Sequence, residues 1–219
     1  MTRFLLTSIF LCGLGAPLAR AEPVRDRDFM RGMTVSCPIW GQIWGTSAMA
    51  ESLEELRELG VRWVAIHPYA VVGRDGSVRF RPAEETGYLP RAVELAREAA
   101  VGLFWKPHLG YWGSFAWRGE IEFGDDERSW RRFFDQYRAF IVDQARFAEK
   151  AGAPLFSIGV EYEATTGRET EWRRILAEVR RVYSGRVTYS ANWDRIAAPM
   201  GGTLTGGLRK SIPPYILES

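Results

Sequence analysis

Between Met33 and Asn192 short apolar runs alternate with amphipathic stretches of helical length, five times over. The run Met33 to Trp44 predicts a first strand, and Leu53, Leu56 and Leu59 sit at helical spacing before a stop at Gly60. Val61 to Val72 is a near-continuous β-rich run, the pattern of a strand buried on both faces. Gly73 to Pro90 is polar and turn-rich, and Asp75-Gly76 between Val71-Val72 and Val78 to Phe80 predicts a hairpin there. A helix over Arg91 to Ala100 and a strand over Val101 to Leu109 follow. An aromatic and glycine-rich loop, Gly110 to Asp126, leads into a long amphipathic helix from Glu127 to Lys150 that Ala151-Gly152 ends. A strand beginning at Leu155, a helix from Glu169 to Tyr183 and a strand from Arg186 to Asn192 complete the series. This alternation implies an α/β fold with a parallel sheet and right-handed crossovers.

Polar side chains collect where these strands end. The second strand ends in His67-Pro68-Tyr69, the third in Lys106-Pro107-His108, the fourth in Glu161-Tyr162-Glu163 and the fifth in Asn192-Trp193-Asp194. The chain contains no other histidine than these two. In a parallel sheet, residues at successive carboxyl ends converge on one mouth, whatever their separation along the chain. Period-two alternation would put Glu161 and Glu163 on one side if the strand ran that far. Glu163, followed by Ala164-Thr165-Thr166-Gly167, reads better as loop, which leaves Glu161 as the carboxyl of interest. A carboxyl in a partly apolar pocket holds its proton to higher pH and can act as a general acid; Ile158, Tyr162 and Trp193 are the candidates for that surrounding.

Aromatic residues gather at the same ends: Trp40, Trp44, Tyr69, Trp105, Tyr111, Trp112, Trp117 and Trp193. Flat rings beside polar groups suit sugar faces, although about half of these are expected to be packing residues. Trp130, Phe134 and Trp172 fall on helices and read as ordinary core.

Composition narrows the partners. Residues 1–21, with Arg3, an apolar stretch from Phe4 to Leu14 and Ala19-Arg20-Ala21, read as a secretory signal, so a secreted or periplasmic protein is expected. Without Arg3 and Arg20 the mature chain balances 27 basic against 27 acidic residues, which recommends neither nucleic acid nor a membrane surface as partner. Cys37 is then the one mature thiol and is expected to be buried. No cofactor is implied.

The run IGVEYEATTGRETEWRRILAEVRRVYSGRVTYSANWD, with WKPHLGYWGSFAWRGEIEF upstream, resembles the family 113 glycoside hydrolases, retaining endo-acting β-mannanase-type enzymes with a (β/α)8 TIM barrel. The resemblance covers roughly Met33 to Asp194. It implies that residues 22–194 form an incomplete TIM barrel of about five strand-helix units and that Glu161 is the acid/base. It also places Lys106, His108, Trp117, Arg118, Asn192, Trp193 and Asp194 in the substrate cleft, where His67 is expected from its strand end, with an oligo- or polysaccharide of β-mannan type as first partner. Val160 stands where the wider clan has Asn.

Beyond Asp194 the family pattern continues through three more strands, with the nucleophile Glu on the seventh. Here residues 195–219 read as an irregular tail, with Gly201-Gly202, Gly206-Gly207 and Pro213-Pro214 as loop signals. The chain is therefore expected to be truncated after about the fifth strand, to lack the nucleophile, to be weak or inactive alone, and to self-associate through open sheet edges. Two other readings stand beside this one. The first is a secreted, non-catalytic carbohydrate-binding protein; the second is a barrel hydrolase with His67, His108 and Glu161 as metal ligands, against which the absence of HxH or HExxH spacing speaks.

Overall fold

The computed structural model describes residues 29–37 and 39–192, so the expected signal, Trp193, Asp194 and the tail lie outside the described residues. The chain divides into two units, Met1–Met30 and Arg31–Ser219, and the fold belongs to the second. Its strands are β1 (Gly32–Thr34), β2 (Trp63–Ile66), β3 (Tyr69–Val72), β4 (Val78–Arg79), β5 (Gly102–Trp105), β6 (His108–Gly110), β7 (Leu155–Val160) and β8 (Arg186–Ser190). Among the described residues four α-helices alternate with them: α1 (Ser47–Glu58), α2 (Tyr88–Glu98), α3 (Glu127–Ala151) and α4 (Glu169–Val182).

The main sheet has the order β1-β2-β5-β7-β8, with every pair parallel. Each strand therefore lies beside the next main strand in sequence, with a helix in the connection, as in the first part of a (β/α)8 barrel. Among the described residues, β1 and β8 form the two edges of this sheet.

Two of the predicted long strands are interrupted, and proline explains both breaks. β2 gives way to β3 at His67-Pro68, and β5 to β6 at Lys106-Pro107. Proline lacks the N–H that a central strand donates. The register nevertheless survives, since Ile66 pairs with Trp105 and Tyr69 with His108. The Lys106 amide donates to the Ile66 carbonyl at 3.0 Å and the His108 amide to the Pro68 carbonyl at 2.8 Å, which bridges the gap. His67, Lys106 and His108 are thus held at paired breaks in adjacent strands. The Asp75-Gly76 hairpin forms as read: β3 and β4 are antiparallel, with Gly76 at φ 77°.

Helix α3 carries much of the core. Asp126 caps it by accepting from the Arg128 and Ser129 amides, and Gly152 closes it in the left-handed conformation. Phe133, Tyr137, Phe140, Ile141 and Ala148 on its inner face are fully buried, and the Tyr137 hydroxyl donates to the Ile158 carbonyl of β7 at 2.7 Å. Trp130, Phe134 and Trp172 are buried as predicted. Leu59 is not a core residue: it falls just past α1 and is 79% exposed. The first strand is only three residues long, and Gln42–Gly45 forms a 3-10 turn instead of extending it.

Candidate active site

The mouth is built where β2, β5 and β7 end. Its central residue is Glu161, the first after β7. The β7–β8 ladder shifts register between Ser157 and Val160, so that three steps along β7 match two along β8. Such a bulge adds twist and re-aims the residues that follow it. Glu161 itself takes φ 57°, in the left-handed region that a side chain with a Cβ enters at a cost. The expected shared face of Glu161 and Glu163 does not form: the strand stops at Val160, and Glu163–Thr165 is a 3-10 turn.

Neighbouring strands hold this conformation in place. The Glu161 amide donates to the Ser190 carbonyl at 2.8 Å, and the Tyr162 amide donates to Tyr189 Oη at 2.8 Å. Tyr162 turns into the core, fully buried, and its hydroxyl oxygen accepts from the Leu109 amide at 3.0 Å. Burial raises the Tyr162 phenol well above its ordinary pKa, so it stays protonated and serves as structure. Thr165 Oγ1 donates to the Tyr162 carbonyl at 2.7 Å, and Trp172 Nε1 to the Thr165 carbonyl at 3.1 Å, which ties the turn to α4.

Around the Glu161 carboxylate the structure gathers Arg118, Lys106 and the two histidines. Arg118 Nε lies 3.7 Å from Glu161 Oε2, and the Glu161 side chain keeps a third of its surface open. Arg118 comes from the aromatic loop, in the 3-10 turn Arg118–Glu120. Its Nη1 donates to His108 Nδ1 at 3.1 Å. A guanidinium can only donate, so the neutral His108 ring carries its proton on Nε2. His108 and His67 stack at 4.8 Å, and both are buried. Burial, helped by Arg118, His67 and Lys106, lowers the His108 pKa to about 2. Burial is also the main cause for His67, against its own backbone hydrogen bond and with Lys106 and Arg118 adding to it, and its pKa falls to about 4. Both rings are therefore neutral near pH 7, and neither is a cation or a general acid there. His108 Nε2 and His67 Nδ1 have no hydrogen-bond partner among the described residues. Lys106 is half-buried; burial lowers its pKa, the Glu161 carboxylate opposes that and Arg118 adds to it. Of the metal reading, His67 and His108 face each other ring on ring, and among the described residues no group of three His, Cys, Asp or Glu side chains is arranged to hold an ion.

The other predicted positions separate. Asn192 lies two residues past β8, half-buried, at the same end of the sheet, while Trp193 and Asp194 fall outside the described residues. Trp117 packs its ring onto the backbone of Gly119 in its own loop. Trp44 and Trp105 are core: both are fully buried, with Trp44 Nε1 donating to the Val35 carbonyl and Trp105 Nε1 to Gln144 Oε1. Trp40 and Trp112 are open to solvent, and Tyr69 and Tyr111 are half-buried beside them. Tyr189 was missed by sequence reasoning, because in an apolar strand a tyrosine carries no sign of where its hydroxyl ends.

Comparison with known proteins agrees with this geometry. No curated protein matches the chain. Two solved structures of a glycoside hydrolase family 113 β-1,4-mannanase align with it at 26% and 25% identity, with TM-scores of 0.67 and 0.65; each alignment covers 74% of this chain and 55% of the other. The family 113 β-mannanase of Alicyclobacillus acidocaldarius, solved in complex with ManMIm, aligns at 26% identity and TM-score 0.64 over 79% of this chain and 58% of that one. The chain thus spans little more than half the length of these mannanases. The pattern of Glycoside Hydrolase Family 113 matches residues 34–197, every strand of the sheet but the first two residues of β1 included. By the extent of that match, this chain belongs to glycoside hydrolase family 113.

Proposed function

We propose that the mouth binds an oligosaccharide of the β-mannan type and that Glu161 is its proton-transferring group. The observation that carries this reading is the placement of Glu161, strained at φ 57°, held by β8 on both sides and facing Arg118 at 3.7 Å. Strain that the surroundings maintain is common where a side chain must be aimed at a reacting group. A carboxyl so placed can protonate the leaving glycosidic oxygen and later take a proton from water. The neutral, buried histidines form the floor of the mouth without adding charge. Lys106 and Arg118 set two cations beside Glu161, a field that suits the second carboxylate which a retaining mechanism requires about 5 to 5.5 Å from the first.

By resemblance to family 113, the segment through Asp194 carries the acid/base of the catalytic pair and not the strand-seven nucleophile. We therefore read the 219-residue chain, acting alone, as slow or inactive in hydrolysis, since losing one member of a catalytic pair costs several orders of magnitude. A binding-only role is the second reading, and the solvent-open rings of Trp40 and Trp112 favour it. Export is part of the proposal and rests on residues 1–21; the amino-terminal sequence of secreted material tests it.

The deciding experiment is hydrolysis and binding of β-mannan and other β-glycan oligosaccharides by the purified chain, with Glu161→Gln as comparison. Turnover that disappears in Glu161→Gln supports the proton-transfer role, and turnover that persists overturns it. Binding without turnover supports the second reading.

A further inference from the structure

Arg118 is poorly matched for an arginine so little exposed. Arg91, Arg132, Arg138, Arg168 and Arg173 each bring a nitrogen to within 2.6 to 3.2 Å of a carboxylate oxygen. Arg118 is less open than any of these, with 22% of its side-chain surface exposed, yet it stands 3.7 Å from Glu161, beyond hydrogen-bond length. Its Nη1 is spent on the neutral ring of His108 at 3.1 Å and its face lies over Tyr111. Its Nη2 makes no hydrogen bond among the described residues.

Lys106 adds a second cation to the same corner. Half-buried at the break between β5 and β6, its ammonium has neither a hydrogen bond nor an ion pair among the described residues. Burial lowers its pKa, Glu161 raises it and Arg118 lowers it again, so each of these two charges is felt at the amine. His67 and His108, whose pKa values burial brings down to about 4 and about 2, are neutral near pH 7 and compensate nothing. Lys106, Arg118 and Glu161 therefore leave one positive charge in surplus, and guanidinium and ammonium only donate.

The surplus defines the ligand. A sugar hydroxyl would satisfy a donor and leave the charge, and a dianion such as phosphate would reverse the sign beside Glu161. One carboxylate meets both needs: it brings a single negative charge, and its two oxygens suit the planar guanidinium fork and the ammonium together.

We propose that Lys106 and Arg118 form a binding site for a carboxylate monoanion beside Glu161, supplied by a small free acid such as formate or by a uronic acid unit of a saccharide. The site itself is independent of the carbohydrate reading of the mouth; its uronic acid form rests on that reading. The field that suits a second protein carboxylate thus also draws one from solution, and it makes the mouth selective for charge, which a neutral mannan chain does not use.

The test is calorimetric titration of the full chain at neutral pH and constant ionic strength with formate, chloride, D-glucuronate and β-1,4-mannotriose. Formate is expected to saturate one site and to bind at least about tenfold more tightly than chloride. Lys106→Met and Arg118→Met are each expected to weaken it about tenfold, and Lys106→Arg to retain it. Glucuronate binding more tightly than formate assigns the site to a sugar acid; formate binding at least as tightly assigns it to a free acid. Carboxylate binding that chloride matches, that both methionine variants keep, or that is absent overturns the site, and mannotriose binding in that case leaves the mouth reading standing. Formate binding with neither saccharide bound supports the site and overturns the carbohydrate reading. Should the methionine variants lose their cooperative melt, the His108 ring resonances of the parent decide: a saturable shift with formate that chloride does not produce supports the site, and an unchanged spectrum refutes it.

Discussion

The amide of Tyr162 donates to the hydroxyl oxygen of Tyr189 at 2.8 Å, so a side chain of β8 holds the backbone of the residue after Glu161. Tyr189 is itself 5% exposed. Tyr189→Phe would leave a buried N–H unpaired, and a loss of about 1 to 3 kcal/mol in unfolding free energy is expected. Urea denaturation measures it, and a loss below about 0.5 kcal/mol would show that the amide finds another acceptor.

Gly159 gives the same clamp its room. A Cβ there would stand 2.6 Å from Tyr189 Cε2 and 3.0 Å from Trp172 Cη2. Gly159→Ala is expected to cost about 1 to 3 kcal/mol by overpacking. Since the ring that must yield is the one holding Tyr162, any turnover or sugar binding should fall along with stability. Stability lost with function intact would separate the clamp from the site.

Glu161 trades stability for placement. Glu161→Gly removes a left-handed strain of about 1 to 2 kcal/mol and adds about 0.4 to 1 kcal/mol of unfolded-chain entropy. The variant is therefore expected to be as stable as the parent or up to about 1.6 kcal/mol more so, although its carboxylate is gone. Thermal and urea unfolding test this. A clear destabilisation would mean that the pair with Arg118 outweighs the strain.

The buried histidines predict a pH dependence. Their folded pKa values, about 4 for His67 and about 2 for His108, lie below the ordinary 6.5, so the unfolded chain binds their protons first. Stability is then full above pH 6.5 and falls as pH drops below it, by about 1.4 kcal/mol per pH unit for each ring. The loss ends near pH 4 for His67 and near pH 2 for His108. In the window from pH 6.5 to 4.5, carboxylates with lowered pKa values, such as Asp126 and Glu127, contribute little, while Asp143, whose pKa burial raises, acts in the opposite sense, so the histidine share is read from the difference between parent and His67 variant. Unfolding free energies across that window should slope downward, and His67→Gln should flatten the slope.

Arg118 is the second cause, after burial, of the low His108 pKa. In Arg118→Ala the His108 pKa is expected to rise yet stay well below 6.5, because burial remains. NMR titration of the ring resonances reads this directly. A return to 6.5 would show that the charge, and not burial, dominates.

Periodicity and turn chemistry determined the order of strands and helices, the Asp75-Gly76 hairpin and the family motifs around Glu161, because backbone preferences and the burial of one face act over neighbouring residues. The same local signals placed His67, Lys106 and His108 at strand ends, where X-Pro breaks now hold them. Local pattern could not show that Trp44 and Trp105 go into the core while Trp40 and Trp112 stay open, since an indole reads alike in both places. It could not show that β7 shifts register and turns Tyr162 inward, because that follows from pairing with β8. The neutrality of the two histidines likewise arises first from their burial, with the cations Lys106 and Arg118 adding to it, and both depend on contacts between residues far apart in the chain. Sequence by itself therefore determined which elements form and which reactive side chains end them; the aim, charge and exposure of those side chains were decided by the tertiary structure, because each depends on neighbours that only folding brings together.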